Sequence, residues 1–181
     1  MEMIDVFDEN NEPLNYSLSR DEVHEKNLWH RHVSCWIINN EGKILLQQRS
    51  LSKKRNPGLW SKTGGHVDAG EEVLDAAKRE VFEEIGLKVD DDKIIQYSVY
   101  KSKDPSKNFY VYNFIFISNL KEEEYVLQKE EVEQVKYFDI EELEQYKKDN
   151  NSEFSFSKWE QDDFDYQMEL LKEYRTKLKE V

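Results

Sequence analysis

Between Glu72 and Ile85 apolar residues recur at helical spacing. Val73, Ala77, Val81 and Ile85 share one stripe, and Gly86 follows the last of them. A glycine in the left-handed conformation commonly ends a helix, so the spacing predicts one helix over 72–85. Its apolar stripe has to face a sheet. Beside the stripe, Glu80, Glu83 and Glu84 fall within about 100° of one another on the helix surface. Neighbouring like charges on a helix repel by about 0.2–0.5 kcal/mol per pair, and partial burial raises that cost. A hard divalent cation offsets it, because Mg2+ takes carboxylate oxygens, water and substrate phosphates together. A solvated acidic face is the plain alternative in a chain with 39 acids, and the spacing alone leaves both open.

The rest of the chain supplies the sheet. Met3 to Phe7 reads as a strand closed by the polar turn Asp8–Asn11, and Ser19 can cap a short helix through Asp21 and Glu22. Val33–Asn39 and Lys43–Arg49 flank Asn40-Glu41-Gly42, a hairpin signal. A loop with Pro57 and Gly58 is expected to run to Gly64-Gly65. Ile94–Lys101 and Phe109–Ser118 read as strands around a turn at Asp104-Pro105, and Val132–Phe138 as a further one. From Phe109 to Ile117 both alternating faces are apolar, as in a central strand buried on both sides; core packing is the expected role of its aromatics, with a nucleobase or prenyl platform as the alternative. Asp139 can cap a helix over 140–147, and Lys158–Lys179 reads as a last long helix that can cap the domain, line a pocket or join two copies as a homodimer. The expectation is a single α/β domain over 1–181, of strands interleaved with helices. Its core spans about 30–145, with an N-terminal hairpin and helix before it and a helical extension over about 150–181.

Charge separates the candidate partners. The formal net charge is −13, which argues against nucleic acid polymers and anionic membranes. Yet no acid occurs from Gly42 to Val67, while Lys43, Arg49, Lys53, Lys54, Arg55 and Lys62 do, a basic island suited to a local anion. A charged fraction of 36% is compatible with disorder, but 13% aromatic residues supply a core. Cys35 is the one cysteine, so no intrachain disulfide forms, and neither a signal peptide nor an apolar run of membrane length is visible. These features predict a cytoplasmic protein.

The decisive pattern is wider than the helix. Gly65, Glu71, Arg79, Glu80, Val81, Glu83, Glu84, Gly86 and Leu87 match the nine defined positions of the Nudix box over 23 residues. The chain therefore resembles the Nudix hydrolase superfamily over roughly Val33–Glu142. That resemblance implies a Nudix fold, a mixed sheet sandwiched between helices, and Mg2+- or Mn2+-dependent hydrolysis of a diphosphate bond in a small organic or nucleoside diphosphate. It also implies Glu80, Glu83 and Glu84 as metal carboxylates, the Gly65 carbonyl as a further ligand, and Arg79 and Glu71 as braces. Two acids remain candidates for the general base, Glu83 and Glu131. Arg49 and Lys53 are the candidate phosphate contacts. Pro57–Trp60 is expected to shape a wall, with Trp60 packed in the core as the favoured role and stacking on a base as the alternative.

A narrower resemblance lies upstream. His30-Arg-His32 with Val-Ser-Cys-Trp, then Leu45–Arg49, Pro57–Trp60 and Gly65-His66, is similar to isopentenyl-diphosphate isomerases, Nudix-fold proteins with a histidine-rich metal site. The match places His30 and His66, and approximately His24, at ligand positions for a second metal. It departs at the catalytic cysteine, whose place is taken by Gly64, and at the following proline, replaced by Val67. Cys35 is expected to be a small buried strand residue, not a substitute thiol. Three functions stay in view: a metal-dependent diphosphohydrolase, which the complete box favours; an isomerase, which Gly64 disfavours; and a non-catalytic ligand sensor, which would not need every box carboxylate.

Overall fold

A computed structural model of the chain describes residues 2–102, 107–159 and 161–179; the expected turn at Asp104-Pro105 lies outside them. Strand β3 (His30–Ile38) organises the sheet. Val33, Cys35 and Ile37 point into one hydrophobic cluster and Trp36 and Ile38 into another, as a strand buried on both faces requires. Along one edge of β3, β8 (Phe109–Ile117) runs parallel, from His30 opposite Phe109 to Ile38 opposite Ile117. The other edge is divided between two antiparallel partners. β6 (Thr63–His66) pairs with His32–Cys35, and β4 (Ile44–Arg49) pairs with Ile37 and Ile38. β7 (Ile94–Lys101) pairs with β8, while β5 (Trp60–Ser61) and β9 (Val132–Phe138) pair with β4.

Helices cover both faces. α2 (Val73–Ile85) lays Ala76, Ala77, Val81 and Ile85 on the Val33–Cys35–Ile37 side, and Gly86 ends it at φ 71°. On the opposite side, α3 (Ile140–Lys148) and α4 (Gln161–Lys179) bury Ile140, Leu143, Phe164, Met168 and Leu171 against Trp36, Ile38 and Ile115. Asp139 and Glu142 form the capping box that starts α3. The fold is thus the expected mixed sheet between helices. Trp60 packs against Phe138 in that second cluster, as expected for a core residue.

Before the main sheet, β1 (Met3–Phe7) and β2 (Pro13–Ser19) form a separate hairpin, followed by α1 (Arg20–Glu25). Ser19 and Glu22 close a capping box on α1, and Val23 packs on Ile4 and Val6. β3 begins at His30, three residues before the expected Val33, and two further differences from the sequence expectation have a visible cause. The segment ending in Gly64-Gly65 is extended into β5 and β6, because two residues without side chains let it approach β3 closely: a Cβ on Gly64 would overlap the Val33 carbonyl. The last helix starts at Gln161 rather than Lys158. Residues Ser155–Lys158 form a tight 3-10 turn, and the Lys147 ammonium donates to the carbonyls of Phe156, Ser157 and Trp159. Among the described residues no helix is long and apolar enough to cross a membrane.

Candidate active site

The acidic face of α2 meets the glycines of β6. Glu84 is buried; its Oε2 accepts from Gln47 Nε2 at 2.8 Å, and the Gly64 amide also donates to its carboxylate. Burial, reinforced by the charges of Glu80 and Glu131, pushes its carboxyl up to about 8. Glu80 lies directly over Gly65, where a Cβ would overlap its carboxylate, and burial raises its pKa as well. Glu83, one turn from Arg79, is half exposed. All three box acids therefore share one edge of the helix, and two of them are desolvated.

Arg79 fixes this edge to the loop before it. Its Nε and Nη2 donate to the two oxygens of Glu71 at 2.9 and 3.0 Å, a bidentate pair. Nη1 reaches Glu80 at 2.9 Å and Glu83 at 3.3 Å, and Nη2 also donates to the His66 carbonyl at 2.9 Å. Burial tends to raise the Glu71 carboxyl, but the Arg79 hydrogen bonds and the Asp68 amide outweigh it and hold it below its usual value. Arg79 thus ties Glu71 on the loop to Glu80 and Glu83 on α2.

Glu131 sits elsewhere than at the helix face. Its carboxylate pairs with Lys53 and, at 3.8 Å, with Arg49, and its carbonyl accepts from the Ser50 amide. The structure therefore joins the second base candidate to both phosphate candidates, while Glu131 remains close enough to raise the Glu84 carboxyl.

The histidines converge. His24 comes from α1, His30 and His32 from β3, and His66 from β6, and one nitrogen of each lies within 4.8 Å of the others. His24 Nε2 is 3.0 Å from His66 Nε2. His30 Nδ1 donates to the Leu28 carbonyl at 2.8 Å, which leaves its Nε2 buried with no partner among the described residues. Burial lowers the pKa of all four, that of His32 to about 3, so they are neutral and able to coordinate. His32 is the member that the family match did not supply. A period-two argument finds it: His30 and His32 share one face of β3, and His32 lies opposite His66 in the ladder.

A loop–helix–loop of this shape, with its box acids facing a glycine strand, has a known counterpart. The sequence model of the NUDIX domain matches residues 28–159. The chain belongs to the Nudix hydrolase family. A Nudix hydrolase of Clostridium acetobutylicum, itself uncharacterized, is 32% identical over 153 residues, covering 80% of this chain and 73% of that one. An isopentenyl-diphosphate Delta-isomerase of Pectobacterium atrosepticum is 40% identical over 84 residues, which cover 46% of each chain. That match leaves more than half of each chain outside it. In fold, the DR0079 protein of Deinococcus radiodurans superposes with a TM-score of 0.66 over 78% of this chain and 86% of that one, at 20% identity. Within the Nudix frame, α2 is the box helix, and Gly65 is the strand residue beneath it.

Proposed function

We propose that this Nudix protein is a Mg2+- or Mn2+-dependent hydrolase of a diphosphate bond in a small organic or nucleoside diphosphate. The observation that carries this is the desolvation of Glu80 and Glu84 on one helix edge, with no cationic partner for Glu84 among the described residues. Two desolvated carboxyls ionise together readily only when a cation is supplied. The donor set fits a hard divalent ion: Glu80, Glu83, Glu84 and the Gly65 carbonyl would hold it. When bound, it would neutralise diphosphate charge and acidify a water.

The chain's own groups do the rest. Arg79 holds Glu80 and Glu83 in place, and Gln47 and the Gly64 amide orient Glu84. Glu83 is exposed enough to accept the proton of the attacking water. Arg49 and Lys53 can bind phosphate oxygens, and doing so would compete with Glu131 for them, freeing a second carboxylate beside Glu84. Phosphorus then undergoes in-line attack with its charge spread over fixed cations.

The four histidines fit a second metal, because His30 Nε2 has no partner among the described residues and the cluster is neutral. They do not make the chain an isomerase. The acid/base thiol of that reaction would have to stand at Gly64, where any Cβ meets the Val33 carbonyl. The test is a panel of nucleotides, nucleotide sugars, dinucleotides and prenyl diphosphates with Mg2+ or Mn2+, read for phosphate release and double-bond migration in parallel. Metal-dependent release supports the hydrolase, and migration without release overturns it. No turnover together with tight binding of one compound would favour a sensor. The same assay on Glu83→Gln and Glu131→Gln identifies the base by the larger loss of kcat. Elemental analysis of wild-type protein and a His30→Ala, His66→Ala double variant counts the metal at the histidines.

A further inference from the structure

Lys62 belongs to none of the sites above. It lies on the short stretch joining β5 to β6, and its Nζ is 4.9 Å from the ring centroids of both Trp36 and Trp159. Its hydrogen-bond partners are two neutral amides, Gln167 Oε1 at 3.0 Å and Asn113 Oδ1 at 3.5 Å. The first of these is oversubscribed. Trp36 Nε1 and the Tyr97 hydroxyl donate to the same Gln167 oxygen at 2.8 and 3.2 Å, three donors on an atom with two lone pairs. The second is at the long limit of a hydrogen bond. No carboxylate among the described residues pairs with this amine, and burial lowers its pKa to about 7. An ammonium so placed lacks the anion that normally accompanies a buried charge.

Lys62 also lines a cavity of about 210 Å3, with Trp159, Tyr100, Val111, His32 and Ser34 around it. A cavity of about 150 Å3 with apolar walls is enough to take a benzene ring. The cavity and the carboxylate helix meet at Gly64, which lines the cavity and also bonds through its amide to Glu84. We propose that this cavity receives the organic end of the diphosphate substrate, and that Lys62 selects there for a carboxylate carried on a flat body. Its role as a substrate subsite rests on the hydrolase reading; its preference for a carboxylate does not. The ring would lie against Trp159 and Tyr100, and the carboxylate would take the third proton of Lys62, with the Ser34 hydroxyl within the same lining.

Benzoate and benzamide are nearly the same shape and differ in charge, so they isolate the amine. Both would be titrated into the full-length protein by calorimetry and by tryptophan fluorescence, without metal or turnover. The expected result is saturable binding of benzoate about tenfold or more tighter than benzamide, as for a charge-assisted hydrogen bond. Lys62→Met should abolish that difference and leave benzamide binding unchanged within about twofold. The proposal is overturned by equal affinity for the two in the wild-type protein, by an undiminished preference in Lys62→Met, or by no saturable benzoate binding. The wild-type comparison decides even if the variant fails to fold. Failure of every diphosphate to turn over would sink the hydrolase reading and leave the carboxylate preference standing. Turnover without that preference would sink only the assignment to Lys62.

Discussion

At the scale of single residues, Glu84 sets the behaviour of the metal-free protein. Its carboxyl ionises near 4.5 in an unfolded chain and near 8 in the fold. A raised folded value means that the contribution is whole below about pH 4.5 and is lost as the pH rises through about 8. Metal-free protein should therefore lose stability from this group across that window. Glu84→Gln removes that part of the slope, because the amide stays neutral and can still accept from the Gly64 amide. We expect its metal-free melting temperature at pH 8 to exceed the wild type's by a few degrees, on the order of 2–4 °C per kcal/mol at this size. Mg2+-dependent turnover should fall to near nothing in the same variant, and scanning calorimetry beside a phosphate-release assay reads both. Retained turnover would remove Glu84 from the metal site. Gly64 is the complementary case, a position where the close approach of β3 excludes any side chain.

At the scale of elements, the helix and its loop work as one clamp because a single guanidinium spans them. Arg79 reaches Glu71 on the loop, Glu80 and Glu83 on α2, and the His66 carbonyl on β6. A lysine keeps the charge and loses the planar fork. Arg79→Lys should then lower kcat at least about tenfold by letting the carboxylates drift, at a stability loss of about 1–3 kcal/mol for the charged hydrogen bonds. Steady-state kinetics with urea melts separates the two effects; unchanged kcat would mean that the brace serves the fold alone. The box helix itself was legible in the sequence, since its apolar stripe, its acids and Gly86 all follow from local spacing. Its neighbour β6 was not. Gly64 and Gly65 carry the local signature of a loop, and only pairing with His32–Cys35 makes them a strand.

At the scale of the whole molecule, the C-terminal helix covers the sheet face opposite α2. Phe164, Met168 and Leu171 are fully buried there, and burial of each contributes about 1.5–3 kcal/mol. Their sum rivals the entire stability of a typical domain, about 5–15 kcal/mol. A chain truncated after Trp159 should therefore be unfolded or barely folded, visible as loss of dispersion in a proton–nitrogen NMR spectrum. A folded truncation would show that α4 is an accessory. Of the three roles open for this helix, the structure supports capping, and Trp159 just before it also lines the Lys62 cavity.

The box acids, the helix that carries them, the central strands and the basic island could be read from the chain because each depends on neighbours a few residues apart. Periodicity and caps are local physics. Four things depended on distant residues meeting. The histidines of α1, β3 and β6 become one cluster through strand register. Glu131 turns out to be held by Arg49 and Lys53. Gly64 proves to be excluded from carrying a thiol by the proximity of Val33. Lys62, one cation among six in a basic stretch, stands apart because folding sets its amine between two tryptophans, with no carboxylate paired to it among the described residues.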